Sequence, residues 1–487
     1  MSEAADQPPK KFDTNLVVIG AGSAGLVTAY VAAAAKAKVT LIERDQMGGD
    51  CLNTGCVPSK AIIRSARIAA YIERSREFGL VAGPLQVDFP KVMQRVRDVI
   101  ARIEPHDSVE RYMELGVDCL SGSARITSPW TVEVNGAQIT TRSIVIATGG
   151  RPAVPPIPGL EQINYLTSDT IWRLERLPQR LLVLGGGPIG CELAQAFRRL
   201  GSEVTLVEMA PRLLAREDPQ TSTAVEQRFV EEGIQLLTGH TAEAFENDGG
   251  NPSVLCTGKN GTTRVAFDEV LVAVGRRANT DGLDIGNAGL ELNPNGTIPV
   301  NEYLQTRHRH ILACGDVTGP YQLTHAAGFQ GWYCAMNALF GHIKRFKVDY
   351  TVMPWAVFTD PEVARVGLTA DEASAQGIAY EITRYGIDDL DRAIADSEAN
   401  GFVKVITKKG SDRILGATVV GHHAAELITE YVTAMKYGMG LRKILNTIHI
   451  YPTLAEANRF AAGNWQKARI SPLALKIAER FHRWRRG

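Results

Sequence analysis

A chain of 487 residues has room for about three to four domains of ordinary size, each with its own core. Its 53 basic and 53 acidic residues cancel to a formal charge of zero, which excludes charge-driven nucleic-acid binding, so no nucleic acid is expected among its partners. A hydrophobic share of 45% with 22% charged residues, and 46 glycines and 23 prolines without a period, exclude disorder and collagen-like order.

The start, MSEAADQPPKKFD, is polar and lacks the apolar stretch of a signal peptide, and no later segment approaches the roughly 18 apolar residues of a membrane span. A cytoplasmic location is therefore expected. The first predicted strand is Leu16-Val17-Val18-Ile19, followed by the turn GAGSAG and an Ala-rich helix. Gly20 makes the tight turn, Gly22 lets backbone approach a pyrophosphate, and Gly25 lets the helix pack on the strand. The helix N-terminus offers free N–H groups and a positive dipole end to the phosphates. A second strand, Lys38 to Ile42, ends at Glu43, an acid placed to accept hydrogen bonds from ribose hydroxyls.

Just beyond comes GGDCLNTGCVPSK, residues 48–60, with the one close pair among seven scattered cysteines. In a reducing compartment such a pair points to redox, sensing or metal chemistry. Cys51 and Cys56 can form a disulfide if the turn between them bends, and the helix start that Pro58 marks favours thiolate in at least one of them. A structural pair or half a zinc site is the alternative. No second Cys or Cys/His pair stands at zinc spacing, so no resident metal is expected. Cys119, Cys191, Cys256, Cys314 and Cys334 read as buried small residues.

The glycine pattern then returns. Leu181 to Leu184 leads into GGGPIG, with Gly185, Gly187 and Gly190 in the same three places, and Glu203 to Val207 ends at Glu208. The acid follows the first glycine by 23 residues in both copies (43 − 20 and 208 − 185). Two matches in one register predict two dinucleotide sites able to exchange electrons. Each half closes on an apolar strand with a terminal glycine, Gly149 after Ile144 and Gly275 after Val270, where cofactor would lie near. RPAVPPIPG (151–159) reads as a stiff interdomain link and NDGGNP (247–252) as a surface turn. From about Asp360, alternating segments such as 401–405 and 415–420 predict antiparallel strands in a separate α+β domain. The expected fold class is thus α/β, with two Rossmann-like dinucleotide-binding domains and a C-terminal α+β domain.

CLNTGCVPSK, the two glycine units and Ala313-Cys314-Gly315-Asp316 together resemble the flavin-dependent pyridine nucleotide–disulfide oxidoreductases: dihydrolipoyl dehydrogenase, glutathione reductase and mercuric reductase. The resemblance spans nearly the whole chain. It implies an FAD-binding domain in 1–155 resumed in 279–352, an NAD(P)-binding domain in 156–278, and a dimerisation domain in 353–487. It also implies FAD on the first glycine turn and a nicotinamide cofactor on the second. Cys51 then resembles the interchange thiol that meets substrate and Cys56 the thiol against the flavin. Lys60 would lie near the flavin with Glu192 as its ion-pair partner, Asp316 would hold the ribityl chain, and the backbone of Leu323, Thr324 and His325 would meet the pyrimidine edge. Electrons would pass from NAD(P)H by way of FAD to the cysteine pair and on by thiol exchange, a role in cell redox homeostasis. Glu208 favours NADH over NADPH by repelling a 2′-phosphate, with Arg212 pulling the other way.

By the same resemblance the enzyme is a homodimer whose active site is shared between chains, the partner supplying a His-Pro-Thr-x-x-Glu segment. Here the segment reads Tyr451-Pro452-Thr453-Leu454-Ala455-Glu456, with tyrosine in the histidine's place. A phenol of pKa about 10 is a poor base at neutral pH, so dihydrolipoyl oxidation is disfavoured. His449 lies two residues upstream, about 7 Å along an extended chain, and reads as structural. Mercuric reductases are similar at this position, although they carry a vicinal cysteine pair near the C-terminus and this chain has no cysteine after Cys334. The expected activity is therefore reduction of a disulfide or soft metal ion at Cys51. A dihydrolipoyl dehydrogenase and a redox-sensing scaffold are the alternatives. Leu473, Ile477, Phe481 and Trp484 among arginines predict a basic amphipathic helix in 471–487. Packing on its own subunit or across a dimer is the expectation for it, with contact to a membrane surface or a protein as the alternative.

Overall fold

The computed structural model describes residues 7–487; the first six residues, part of the polar start and of the expected FAD segment, lie outside the described residues. The chain divides into two compact units, one of 1–211 and 233–349, the other of 212–232 and 350–487.

The first unit holds two five-stranded parallel sheets of like build. In the first the order is Ile311–Ala313, Ile144–Ile146, Leu16–Ile19, Val39–Glu43, Val117–Ser121. In the second it is Gln235–Thr238, Glu203–Glu208, Arg180–Leu184, Glu269–Val272, Tyr165–Leu166. Helices cover such sheets on both faces, which is why their central strands are apolar without alternation. Leu16, Val17 and Val18 are fully buried, as are Leu182 and Val183. Helix Ser23–Ala34 follows the first glycine turn and helix Pro188–Leu200 the second. Each half also carries a three-stranded antiparallel sheet, 124–140 in one and 241–266 in the other. NDGGNP forms the turn of the latter at Gly249 and Gly250, while its flanks continue as strands. The Pro-rich link is less irregular than expected, because Gly150–Pro152 pairs antiparallel with Arg276–Ala278. Cys119 is half-buried on edge strand Val117–Ser121, a correction to its expected burial.

The second unit is built on a five-stranded antiparallel sheet ordered Pro354–Val357, Glu362–Gly367, Ile414–Gly421, Phe402–Lys408, Tyr380–Gly386. Helices Ala424–Lys436 and Glu456–Lys467 close its core around Tyr431 and Trp465. A buried pair, Lys404 Nζ to Asp218 Oδ2 at 2.5 Å, ties in residues 212–232. Helix Pro472–Arg486 forms as the periodicity predicts, yet none of its residues is buried, so the expected packing on its own subunit is not found. Among the described residues no helix is long and apolar enough to cross a membrane.

Candidate functional site

The two glycine turns superimpose in their constraints. Gly20 has φ +102°, and a Cβ there would lie 2.4 Å from the Ala147 carbonyl oxygen; Gly185 has φ +105° and the same conflict with Ala273 at 2.5 Å. Gly25 and Gly190 press their helices on the turns, where a Cβ would lie 1.8 and 1.9 Å from the carbonyls of Gly20 and Gly185. The middle glycines differ: Gly187 faces open space, and Gly22 has only the Gly49 Cα at 3.9 Å. A cradle closed on two sides and open at its centre beside a helix N-terminus fits a pyrophosphate, so the residues present fit a dinucleotide at both turns.

Glu43 and Glu208 brace these turns. Glu43 accepts Ala21 N–H at 2.6 Å and Asp45 N–H at 2.9 Å. Glu208 accepts Gly186 N–H and Ala210 N–H, both at 2.6 Å. A carboxylate has about four acceptor positions, which leaves two for ribose hydroxyls. Arg212 donates to the Ala215 carbonyl at 3.1 Å. Gly149 and Gly275 take the positive φ that ends their strands, at +68° and +145°.

The cysteine loop is anchored to the first cradle. Gly48 N–H donates to Ala21 O at 3.0 Å, and Gly49 packs its backbone on Gly22. Cys51 sits in the short helix Gly49–Asn53 and Cys56 opens helix Cys56–Glu73, with the chain bending between them. Both are free thiols, Cys51 half-buried and Cys56 exposed. The Cys51 thiol hydrogen-bonds the Cys56 sulfur, which raises its own pKa and is the largest factor lowering that of Cys56 from 9.0 to about 6; Thr324 and Lys60 add to the lowering, against burial. The pair therefore rests as thiol and thiolate at neutral pH, with Cys56 as the thiolate.

Thr324, first residue of helix Thr324–Phe340, holds its Oγ1 3.2 Å from Cys56 Sγ. Its side chain reaches the redox pair, where only its backbone was assigned a role. His325 beside it is exposed. Lys60, one turn beyond Cys56, meets Glu192 Oε2 at 2.8 Å, joining the helix of the cysteine pair to the helix of the second glycine turn. The Glu192 side chain is 7% exposed, so its charge is matched where water is scarce.

Sequence reasoning missed Arg276. It pairs with Asp50, next to Cys51, and with Asp316 at 3.2 Å, and it donates to Gly150 O at 3.1 Å. Asp50 also accepts the Thr54 hydroxyl at 2.6 Å, and Trp172 Nε1 donates to the Thr54 carbonyl at 2.8 Å. Burial raises the pKa of Asp316 and of Asp169, the nearby Asp50 charge adding to both. Arg276 follows Gly275 directly, but no spacing signal ties it to residues 226 and 40 positions away.

In the second unit, Tyr451 is 68% exposed and donates to Asp391 Oδ2 at 3.0 Å, a bond that raises the pKa of its phenol. Glu456 begins helix Glu456–Lys467 and accepts Thr453 N–H at 3.3 Å, so the two residues have different partners. His449 is committed at both ring nitrogens, Nδ1 against Thr447 O at 3.0 Å and Nε2 against Glu430 at 3.0 Å, as a structural histidine would be.

Residues 14–331 match the profile of the pyridine nucleotide-disulphide oxidoreductases, and residues 353–462 match that family's dimerisation domain. A mercuric reductase of Lysinibacillus sphaericus is 36% identical over 453 residues, 93% of this chain and 83% of the relative. A dihydrolipoyl dehydrogenase of Chlamydia muridarum is 37% identical over 90% of this chain and 94% of its own length. Among solved structures, a copper(II) complex of the HOCl-induced flavoprotein disulfide reductase RclA from Escherichia coli superposes with TM-score 0.82 at 28% identity, covering 92% of this chain and 99% of that one. LpdA from Mycobacterium tuberculosis does so with TM-score 0.84 at 26% identity, covering 93% of this chain and 99% of its own.

Proposed function

The chain belongs to the pyridine nucleotide-disulphide oxidoreductases, and within that family we propose an NADH-dependent reductase of a disulfide or soft metal ion, working at Cys51 and Cys56. The family is FAD-dependent and uses NAD(P)H, and the dimerisation domain is consistent with a homodimer. The observation that carries the reading is the cysteine pair itself: an exposed Cys56 of pKa about 6 with Cys51 as its hydrogen-bond donor, beside the Lys60–Glu192 pair.

When bound, FAD supplies a two-electron carrier between the nicotinamide and the disulfide. Residues 1–155 and 279–352 would form its domain and 156–278 that of the nicotinamide cofactor. Gly20, Gly22 and Gly25 would admit the FAD pyrophosphate, Glu43 and Asp316 its sugar hydroxyls, and Thr324 and His325 its ring edge; Gly185, Gly187, Gly190 and Glu208 would do the corresponding work for NADH. Two electrons and two protons convert the Cys51–Cys56 disulfide to the dithiol. With a disulfide acceptor, Cys51 attacks as the Cys56 thiolate takes its proton, one acceptor thiolate leaves and takes that proton from Cys56, and Cys56 then closes on Cys51 to release the second. A soft metal ion would instead be held by the two sulfurs and reduced by the same two electrons.

Glu208 supports NADH, since a carboxylate that accepts from ribose hydroxyls would repel a 2′-phosphate. Tyr451 and Glu456 would complete the site from the partner subunit, and Tyr451, tied to Asp391, supports acceptors that need no base. Relatives of both names match about equally, so dihydrolipoyl dehydrogenase is the second reading. A substrate panel separates them. Turnover of NADH with mercuric or cupric ion or an aromatic disulfide, well above that of dihydrolipoamide with NAD, is expected; faster dihydrolipoamide oxidation would overturn the assignment.

A further inference from the structure

Helix Pro472–Arg486 lies beyond the region that matches the dimerisation domain and plays no part in the site described above. The chain before it is firmly held. Arg469 pairs with Glu381 and its guanidinium lies 4.0 Å over the ring of Trp465, which is itself buried. From Ser471 onward that anchoring stops, and a 15-residue helix begins with no buried residue.

The helix is two-faced. At about 100° per residue, Leu473, Trp484, Ile477, Phe481 and Ala474 fall within an arc of roughly 100°. Arg480, Lys476 and Arg483 follow along one border of that arc and Arg485 stands on the other. Leu473 is 66% exposed, Ile477 58%, Phe481 49% and Trp484 76%. The rings of Phe481 and Trp484 lie together, 6.1 Å between centroids. Lys476, Arg480, Arg483, Arg485 and Arg486 face a single acid, Glu479, which Arg483 pairs at 3.0 Å. In a chain of zero formal charge, this segment gathers cations.

We infer that this helix lies in the surface of an anionic lipid bilayer and brings the reductase to it. The arc of Leu, Ile, Phe and Trp needs an apolar medium, and the bordering cations need anions at its edge. A helix in the plane of an anionic interface meets both, since Lys and Arg stems run along the apolar surface while their heads reach the phosphates. Two copies packed arc to arc would bring two basic borders together. The helix is too short and too charged to span the bilayer, so it rests on it.

The test uses the full-length flavoprotein and vesicles of phosphatidylcholine, alone or with phosphatidylglycerol at roughly three to one. Co-sedimentation should be at least about tenfold stronger with the anionic vesicles and fall in high salt. Truncation after Ser471, and the double variant Phe481→Ala with Trp484→Ala, should each abolish it while NADH oxidation and dimer mass stay unchanged. Equal or absent binding to the two vesicle types would overturn the inference, as would undiminished binding by the truncated chain. Dissociation of the truncated dimer would show that the arc covers a second copy, and retention on polyglutamate but not on anionic vesicles would place an acidic protein there; either result refutes the lipid assignment.

Discussion

Replacing Thr324 by valine tests the electrostatics of the cysteine pair. The Thr324 hydroxyl lies 3.2 Å from Cys56 Sγ, and valine keeps the β-branched shape while removing the donor. A hydrogen bond to a charged acceptor is worth about 1.5–3 kcal/mol, and the exposure of Cys56 to water places this one at the lower end. At 1.36 kcal/mol per pKa unit, that is a rise of about one unit. The direction follows from the charge: the hydroxyl stabilises the thiolate, so its loss raises the pKa, from about 6 to about 7. At a pH near 6.5, the thiolate fraction should fall from about three quarters to about one quarter. The assay is the long-wavelength thiolate–flavin band of anaerobic, NADH-reduced protein, followed against pH. Thr324→Ser, which keeps the hydroxyl, should titrate like the parent. A valine midpoint within a few tenths of a unit of the parent, or below it, would refute the reasoning; a serine midpoint displaced as far as valine's would show that shape rather than hydrogen bonding sets the pKa.

Three further outcomes follow from the geometry. Gly187→Ala puts a methyl into open space, so thermal stability should hold while KM for NADH rises about tenfold or more; Gly190→Ala meets a carbonyl at 1.9 Å and should lose roughly 3 kcal/mol of stability or fail to fold, and equal effects at the two positions would contradict the cradle. Glu208→Ala removes both the brace on Gly186 and the charge proposed to repel a 2′-phosphate, so the ratio of kcat/KM for NADH to that for NADPH should fall at least about fivefold; an unchanged ratio would remove Glu208 from cofactor choice. His449→Ala leaves Glu430 short of a partner and should cost about 1–3 kcal/mol in denaturant unfolding with kcat retained, whereas normal stability with collapsed turnover would make His449 catalytic.

Those expectations also mark how much the sequence carried. The glycine turns, their acids and the cysteine pair were legible because each is a local event: a φ that only glycine adopts readily, a strand that must be apolar on both faces, a thiol at a helix start. Identical spacing in two halves predicted two sheets of like build, which the structure has. What stayed hidden depends on distance in sequence. Thr324 reaches Cys56 across 268 residues, and Arg276, beyond strand Glu269–Val272, joins Asp50 in the cysteine loop to Asp316 beyond strand Ile311–Ala313. His449 lies between helices, and its partner Glu430 stands on helix Ala424–Lys436, which no pattern in its own segment announces. The basic helix was legible as an amphipathic element, but periodicity states only that a face needs a partner, and of the expected packing on its own subunit or across a dimer the first is not found.

The central claim is that Cys51 and Cys56 are the redox pair that takes electrons from NADH. Anaerobic NADH titration of the parent and of Cys56→Ser, with thiols counted by alkylation before and after, tests it most directly. The account predicts two new thiols per chain and a long-wavelength band in the parent, and no such band in Cys56→Ser. A band that survives the substitution, or a parent that gains no thiol on reduction, would contradict it.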